Sequence, residues 1–270
     1  MPLGFLPGIS TPAVIGMIHV PALPGTPRHD LPLPDIIARA VAEAEVYTGA
    51  GVDAIMLENM HDVPYLRGEV GPEITAAMTA VAIGVAEVAP GPVGVQVLAG
   101  ANREALAVAV AAGLQFVRVE GFVFGHVADE GWLDGCAGPL LRYRRQIGAD
   151  RVQILADIKK KHSAHAVTAD VSLVETAAAA VFAGADALIV TGSATGQVTD
   201  PGELEAVRAT VDVPVVVGSG VTEDNLDRYL AADALVVGSH FKDDGLWAGP
   251  LNSDRVVSFL DKLHRLRGTS

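Results

Sequence analysis

Eight short runs rich in valine, isoleucine and leucine recur along this chain, and each is followed by an alanine-rich segment with helical spacing. Near-continuous apolar runs of this kind are typical of parallel strands that are covered by helices on both faces of the sheet. The predicted strands span residues 13–20, 53–59, 93–99, 116–121, 152–158, 187–191, 214–219 and 234–239. The predicted helices span about 34–49, 72–89, 102–112, 134–148, 169–183, 200–210, 222–231 and 252–267.

Eight strand–helix units in unbroken order predict an α/β fold, a single (β/α)8 TIM barrel over residues 1–270 with residues 1–12 as an N-terminal extension. The turn residues agree, because Gly51, Gly113 and Gly184 each follow a predicted helix, where glycine ends a helix in the left-handed conformation. A doubly wound open sheet is the alternative, and it would need fewer units or a visible second domain.

Composition excludes several classes of partner. Nucleic acid is a poor candidate, because 19 Lys and Arg stand against 32 Asp and Glu, a formal net charge of −13. The single Cys136 excludes an intrachain disulfide framework and fits a reducing compartment. The longest apolar stretch, residues 76–88, is too short to cross a bilayer, and the proline-broken N-terminus is unlike a signal peptide. We therefore expect a cytoplasmic protein without a membrane span.

Polar residues end or follow five of the predicted strands, and the carboxyl ends of barrel strands converge on one mouth. A single acid there either anchors a loop or catalyses, whereas several acids at one level favour a catalytic site, since charges are rarely buried without a partner. The candidate catalytic residues are Glu58, Glu120, Asp157, Lys159 and His19, and the candidate substrate-binding residues are Asn59, Gln96, Arg118, His162 and Thr191.

Charge spacing near the fourth and fifth strands predicts two ion pairs, Arg118 with Glu120 and Asp157 with Lys159. Lys159 begins a run of three lysines that is either an anion clamp or, with a lowered pKa, the source of a base or Schiff-base amine. The acids and histidines also permit a divalent metal, Mg²⁺ or Zn²⁺, although no histidine pair at helical spacing organises such a site.

Glycine- and serine-rich turns follow the last three predicted strands, and barrels that take phosphorylated substrates bind the phosphate at the loops after the last two. Glycine lets the backbone approach an anion closely, and amides at a helix start point at it. Tight barrel turns also need glycine for steric reasons alone. The candidate phosphate-binding residues are Gly192, Ser193, Gly218, Ser219, Gly220, Gly238 and Ser239, with Lys159 or Lys242 as the source of positive charge.

Seven motifs together resemble the BtpA/SgcQ family: GMIHVPALPG (16–25), ENMHDVP (58–64), GVQVL (94–98), RVEGFV (118–123), DIKKKHS (157–163), VTGSATG (190–196) and GSGVT (218–222). The likeness covers about residues 10–267. It implies a TIM barrel. One branch of that family is named for photosystem I biogenesis, and another is described as nucleosidase-like or related to sugar phosphates. The resemblance supplies no agreed catalytic residues, so the candidate residues above come from the sequence pattern alone.

Two functions remain open at this point. The first is an enzyme that acts on a small phosphorylated sugar or nucleoside by carboxylate general acid/base catalysis, as a nucleosidase, glycosyl transferase or isomerase. The second is a non-catalytic soluble factor in the biogenesis of photosystem I or another membrane complex, which predicts an exposed apolar patch and a mouth without convergent polar groups. Trp132, Leu246 and Trp247 are candidates for a homo-oligomer interface, for a lid, or for capping of the core.

Overall fold

The barrel follows the predicted order of units. The computed structural model describes residues 3–160, 162–192 and 198–268. Its strands are β1 (Ala13–His19), β2 (Ala54–Glu58), β3 (Val93–Gln96), β4 (Phe116–Val119), β5 (His126–Ala128), β6 (Gly131–Leu133), β7 (Gln153–Ile158), β8 (Ser163–Ala164), β9 (Ala187–Val190), β10 (Val215–Val217) and β11 (Ala234–Val237). A closed parallel barrel runs β1-β2-β3-β4-β7-β9-β10-β11 and back to β1, which confirms the TIM-barrel prediction.

Helices surround the barrel at seven of the eight predicted positions. They are α1 (Leu33–Ala50), α2 (Pro72–Val88), α3 (Asn102–Ala112), α4 (Ala137–Gln146), α5 (Leu173–Phe182), α6 (Pro201–Arg208) and α7 (Ser253–Gly268). The predicted helix over 222–231 is instead a 3₁₀ helix over Glu223–Tyr229. Because a 3₁₀ helix rises about 2.0 Å per residue and an α-helix about 1.5 Å, the tighter helix reaches further along the short connection between β10 and β11.

A small antiparallel sheet, which the sequence pattern did not predict, is built from the loops that follow β4 and β7. Its strands pair in the order β6-β5-β8, and none is longer than three residues. Strands this short carry too few alternating residues to produce a period-two pattern. We call this element the loop sheet.

The interior of the barrel is closed at its amino-terminal end by the N-terminal segment. Leu3 and Leu6 are buried in the same apolar cluster as Ile15 and Leu155, which point into the barrel. The ring of Phe5 stacks on Phe116 with centroids 4.2 Å apart. Residues 3–6 therefore plug the bottom of the barrel, and burial of each large apolar side chain there contributes about 1.5–3 kcal/mol.

The Phe116 ring also explains one glycine in the barrel wall. A Cβ added at Gly94 of β3 would lie 2.2 Å from the Phe116 ring, inside van der Waals contact. Above this apolar floor the inward positions of the strands become polar. His19 pairs in register with Glu58, and Glu58 with Gln96, so the three side chains leave β1, β2 and β3 at one level.

No helix among the described residues combines the length and the apolar composition that crossing a membrane requires.

Candidate active site at the barrel mouth

A cavity of about 410 Å³ opens at the carboxyl ends of the strands. This volume lies within the range of small-molecule sites in proteins. We call it the mouth cavity. Its polar lining includes His19, Glu58, Tyr65, Arg118, Glu120, Asp129, Glu130, Lys160, His162, Ser219, Thr222, Ser239, His240 and Arg255, together with Gly218, Gly220 and Gly238.

His19 and Glu58 form a buried dyad on one wall of the mouth cavity. The Nδ1 atom of His19 lies 2.8 Å from the backbone oxygen of Trp247, and its Nε2 atom lies 3.7 Å from Oε2 of Glu58. A carbonyl oxygen only accepts hydrogen bonds, so Nδ1 carries a proton and Nε2 faces the carboxylate. The dyad thus presents a nitrogen and a carboxylate between which a proton can be shared.

Arg118 and Asp157 form a closed ion pair inside the barrel. Arg118 donates from Nε to Asp157 Oδ2 at 2.9 Å and from Nη2 to Oδ1 at 3.1 Å, and both side chains are buried. The predicted Arg118–Glu120 pair is therefore wrong, because the bidentate carboxylate comes from the neighbouring strand. Both oxygens of Asp157 are engaged, and Asp157 does not line the mouth cavity. Its position is that of a residue that orients Arg118.

Lys160, and not Lys159, carries the buried ammonium of the mouth. Its Nζ lies 3.0 Å from Oε2 of Glu120 and 3.7 Å from Oε2 of Glu130. Burial acts to lower the pKa of Lys160, but the charges of Glu120 and Glu130 outweigh burial and raise it. Lys160 therefore remains a cation at neutral pH, as an anion clamp requires.

The predicted Asp157–Lys159 pair is also wrong. β7 ends at Ile158, and Lys159 has a φ of 51°, so the chain turns there and the strand alternation no longer applies. The Nζ atom of Lys159 donates to the backbone oxygen of Val171 at 2.5 Å, outside the mouth cavity. The predicted catalytic role of Lys159 loses its geometric basis, and the positive charge expected from it is supplied by the next residue.

Some candidate substrate-binding side chains form hydrogen bonds within the protein, and others have no partner among the described residues. Asn59 donates to Asp62 at 2.7 Å and accepts from the Leu98 amide at 2.7 Å, so its side chain holds two loops together. Gln96 is 1% exposed, and neither its Nε2 nor its Oε1 has a hydrogen-bond partner among the described residues. The hydroxyl of Thr191 is likewise buried without a partner there. Buried polar atoms of this kind are costly without a partner, but neither Gln96 nor Thr191 lines the mouth cavity, so their predicted contact with a substrate has no support from the cavity lining.

The glycine turns after β10 and β11 also line the mouth cavity, and the second turn lies beside the dyad, since a Cβ added at Gly238 would lie 3.2 Å from Nε2 of His19. Gly218, Ser219 and Gly220 line it from the turn after β10, and Gly238 and Ser239 line it from the turn after β11. Gly218 must be small, since an added Cβ would lie 2.4 Å from Ile189. We call these five residues the glycine cup.

The amides available in the glycine cup differ from the expectation. The amide of Thr222 donates to Asn225 Oδ1 at 2.8 Å, and that of Glu223 to His240 Nε2 at 3.2 Å, so the start of the 3₁₀ helix is internally satisfied. Within the described residues, the amides of Gly220 and Val221 donate to no protein acceptor. The amide of Gly192 donates to Ser219 Oγ at 3.3 Å, and Ser193 lies outside the described residues.

The positive charge beside the glycine cup comes from Arg255 of α7 and not from Lys242. Arg255 lines the mouth cavity and lies 3.4 Å from Nδ1 of His240. Lys242 is 1% exposed and donates to both carboxylate oxygens of Glu43 at 2.6 Å, away from this cavity. The expectation that Lys242 or Lys159 serves the phosphate is thus corrected.

Tyr65, Glu130 and Arg255 are among the residues of the site that the sequence analysis missed. Tyr65 donates to Met60 O at 2.7 Å, and burial raises its pKa, with Glu58 and Glu120 acting in the same direction. Glu130 comes from the loop sheet, and Arg255 follows β11 at the start of α7. These residues lie in loops or at the start of a helix, where the sequence has no periodic hydrophobic pattern that would have indicated them.

The histidines do not assemble a metal centre in the described part of the chain. No group of three or more His, Cys, Asp or Glu side chains there is placed to hold a metal ion. His162 lines the mouth cavity with a φ of 54°. His165 and His126 lie behind it, with ring centroids 5.4 Å apart.

The fold and the mouth define a class, a (β/α)8 barrel with a polar cavity at the carboxyl ends of its strands. The chain belongs to the BtpA family, whose model matches residues 10–265. It is 48% identical to an uncharacterized mitochondrial protein of Caenorhabditis elegans over 96% of this chain and 95% of that one. It is 35% identical to the photosystem I biogenesis protein BtpA of Synechocystis over 93% of this chain and 87% of that one.

Solved structures that share the barrel are more distant in sequence. A thiamine phosphate pyrophosphorylase from Pyrococcus furiosus superposes with a TM-score of 0.58 at 15% identity, and 94% of this chain and 96% of that chain are covered. A 3-hexulose-6-phosphate synthase from Salmonella typhimurium gives 0.57 at 16% identity, and the coverage is 94% and 99%. At this level of identity the likeness establishes the fold alone.

Proposed function

We propose that this protein is an enzyme that acts on a small phosphorylated sugar or nucleoside by proton transfer at the mouth of the barrel. One observation carries the proposal: a single cavity of about 410 Å³ is lined by the glycine cup and Arg255 and also by the His19–Glu58 dyad. An anion held by the glycine cup and Arg255 would place the uncharged part of the same molecule beside the dyad.

The glycine cup and Arg255 form the phosphate site in this proposal. Gly220 and Val221 offer two successive amides, and Ser219 and Ser239 add hydroxyl groups. Arg255 supplies a guanidinium, which pairs with phosphate in a planar two-point contact. These local donors matter more for binding than the overall charge of −13, because the cavity walls concentrate the local field.

The dyad supplies the acid and base. With Nδ1 of His19 held by the Trp247 carbonyl, Nε2 takes up a proton from the substrate, and the Glu58 carboxylate stabilises the imidazolium that results. Return of that proton to another substrate atom completes an isomerisation. In glycosyl transfer, the proton comes from an acceptor hydroxyl group or water that bonds to the anomeric carbon, and it passes to the leaving group as the glycosidic bond breaks. Either outcome leaves the enzyme in its starting protonation state.

Lys160 and Arg118 would stabilise negative charge that develops on the substrate. Both cations line the mouth cavity and both are buried, so their fields are weakly screened there. Gln96 and Thr191 have polar atoms without a partner among the described residues, but neither lines the mouth cavity, so neither is assigned a contact with the substrate.

The alternative, a non-catalytic assembly factor, is less well supported. It predicted a mouth without convergent polar groups, whereas the mouth cavity is open and polar. The names of the two similar barrels refer to phosphorylated compounds, which accords with a phosphate site here.

The test is turnover of a mixture of sugar phosphates and nucleoside phosphates, followed by mass spectrometry. Glu58→Gln removes the carboxylate with little change of volume, and we expect at least about a hundredfold loss of turnover. Glu87→Gln, the same change at an exposed position on α2, is the matched control and should retain full turnover. Full turnover by Glu58→Gln would reject the role of the dyad.

Binding is tested separately by thermal unfolding with ribose 5-phosphate. A ligand present at a hundred times its Kd adds about 2.7 kcal/mol to the free energy of unfolding. Arg255→Gln should abolish that stabilisation. If no compound of the mixture is converted and none stabilises the protein, the proposed function fails.

A further inference from the structure

A second cavity, of about 650 Å³, lies beside the mouth between α1, the loop after β1 and the loop at residues 242–251. We call it the outer cavity. His19 and Trp247 line both cavities and form the wall between them. The outer cavity is therefore next to the group to which the proposed function assigns proton transfer.

The wall between the cavities is aromatic and is fixed by several contacts. The indole of Trp247 lies edge-on to the His19 ring with centroids 6.1 Å apart, and its centroid lies 4.9 Å from that of His61. The backbone oxygen of Trp247 holds His19 at 2.8 Å. A flat ligand in the outer cavity would find an aromatic surface here, with Leu31 and Leu251 among the apolar side chains of the lining.

The charges of the outer cavity favour an anion. Arg28, Arg39 and Lys242 line it, against Asp30 and Glu43. Lys242 is committed to Glu43, which leaves the two arginines and Asp30 as the charges that a ligand would meet. Neither arginine forms an ion pair with another described residue.

The positive charges of the outer cavity also affect the pKa of His61, whose ring packs against Trp247. Burial lowers the pKa of His61, and the charges of Lys242 and Arg28 lower it further. His61 is thus a neutral ring at physiological pH, which suits stacking and does not oppose the arginines' attraction for an anion.

We propose that the outer cavity binds a flat, apolar group with an anionic substituent, which forms the second part of the substrate whose phosphorylated sugar occupies the mouth. This inference rests on the proposed function of the mouth. The aromatic wall would hold the flat body, and Arg28 and Arg39 would pair with the anion. The bond that joins the two parts would then lie near His19, at the boundary of the cavities.

The experiment uses benzoate as the probe of the outer cavity and the fluorescence of Trp247 as the signal. The chain has two tryptophans, so Trp132→Phe in the full-length protein leaves Trp247 as the sole indole. We expect benzoate to quench this fluorescence with saturation. Benzamide, which has no charge, and acetate, which has no ring, should each bind more weakly.

The arginine variants decide where benzoate binds. The double variant Arg28→Gln/Arg39→Gln should lower benzoate affinity about tenfold, as expected for the loss of two partly exposed ion pairs. Arg151→Gln, an exposed arginine just before β7 at the other end of the barrel, is the matched control and should leave affinity unchanged. Absence of saturable quenching, or equal affinity in the double variant, would overturn the outer-cavity site.

The failure of this inference can be told from failure of the proposed function. Benzoate should bind equally with and without saturating ribose 5-phosphate, and Arg255→Gln should remove only the sugar phosphate. Competition between the two probes would overturn the two-part substrate. If ribose 5-phosphate does not bind while benzoate binds through Arg28 and Arg39, the proposed function of the mouth fails, and with it the two-part substrate.

Discussion

Two buried cations stand in the barrel mouth, and their surroundings differ. Arg118 is held by both oxygens of Asp157 in a closed bidentate pair, whereas Lys160 lies between Glu120 and Glu130 with single contacts of 3.0 and 3.7 Å. Both cations line the mouth cavity, but of the three partner acids Asp157 alone does not. The difference indicates that Asp157 fixes the position of Arg118 within the barrel, whereas the two partners of Lys160 line the cavity with it and can themselves meet a bound molecule.

The largest expected effect comes from breaking the closed pair. Asp157→Asn leaves the Arg118 guanidinium buried without a counter-charge, and removal of one partner from such a pair costs about 3–5 kcal/mol. The measurement is the free energy of unfolding from urea titration. The double variant Arg118→Met/Asp157→Leu removes both charges and should recover most of the loss. A loss below about 1 kcal/mol in Asp157→Asn would contradict a structural role for the pair.

Removal of the Lys160 ammonium should lower the free energy of unfolding less than Asp157→Asn does, and should lower turnover more. Lys160→Met loses charge-assisted contacts to Glu120 and Glu130, worth about 1.5–3 kcal/mol, and water in the cavity can solvate the two acids that remain. We expect turnover of the sugar phosphate mixture to fall at least about tenfold while the variant stays folded at 25 °C. Lys159 lies outside the cavity, so Lys159→Met should keep full turnover. Equal losses in both variants would contradict the assignment of the role to Lys160 alone.

The smallest expected effect is a difference in stability at alkaline pH, where Lys160 loses its proton and Arg118 does not. The pKa of Lys160 is raised in the folded state above its ordinary 10.5, so its contribution is full below that pH and is lost as pH rises through the folded pKa. Arginine does not titrate in this range, so the Arg118 pair persists. The wild-type protein should therefore lose stability above about pH 10.5 more steeply than Lys160→Met in urea titrations. Parallel curves would show that Lys160 does not titrate with folding.

The same contrast shows what sequence reasoning could reach. The sequence analysis placed His19, Glu58 and Arg118 at the carboxyl ends of predicted strands, and all three side chains line the mouth cavity. It failed one residue beyond β7, since the positive φ of Lys159 exchanges the directions of Lys159 and Lys160. Spacing within one strand also suggested Arg118–Glu120, while the actual partner lies on the adjacent strand, and that pairing is not visible in a linear pattern.

Residues from loops and helices were the hardest to find. Glu130 depends on a loop sheet of two- and three-residue strands, and Arg255 on the packing of α7 beside the turn after β11. The glycine turns were located from their composition, but their amides were not, because the internal bonds of Thr222 and Glu223 arise only in the folded chain.

The seal that Leu3, Phe5 and Leu6 make at the floor of the barrel has a kinetic consequence. A barrel that is closed at its floor admits ligands only at the carboxyl ends of its strands, so product leaves and substrate enters on the same side of the molecule. Under the proposed function, a product molecule that still occupies the mouth cavity excludes the next substrate, so added product should inhibit turnover competitively.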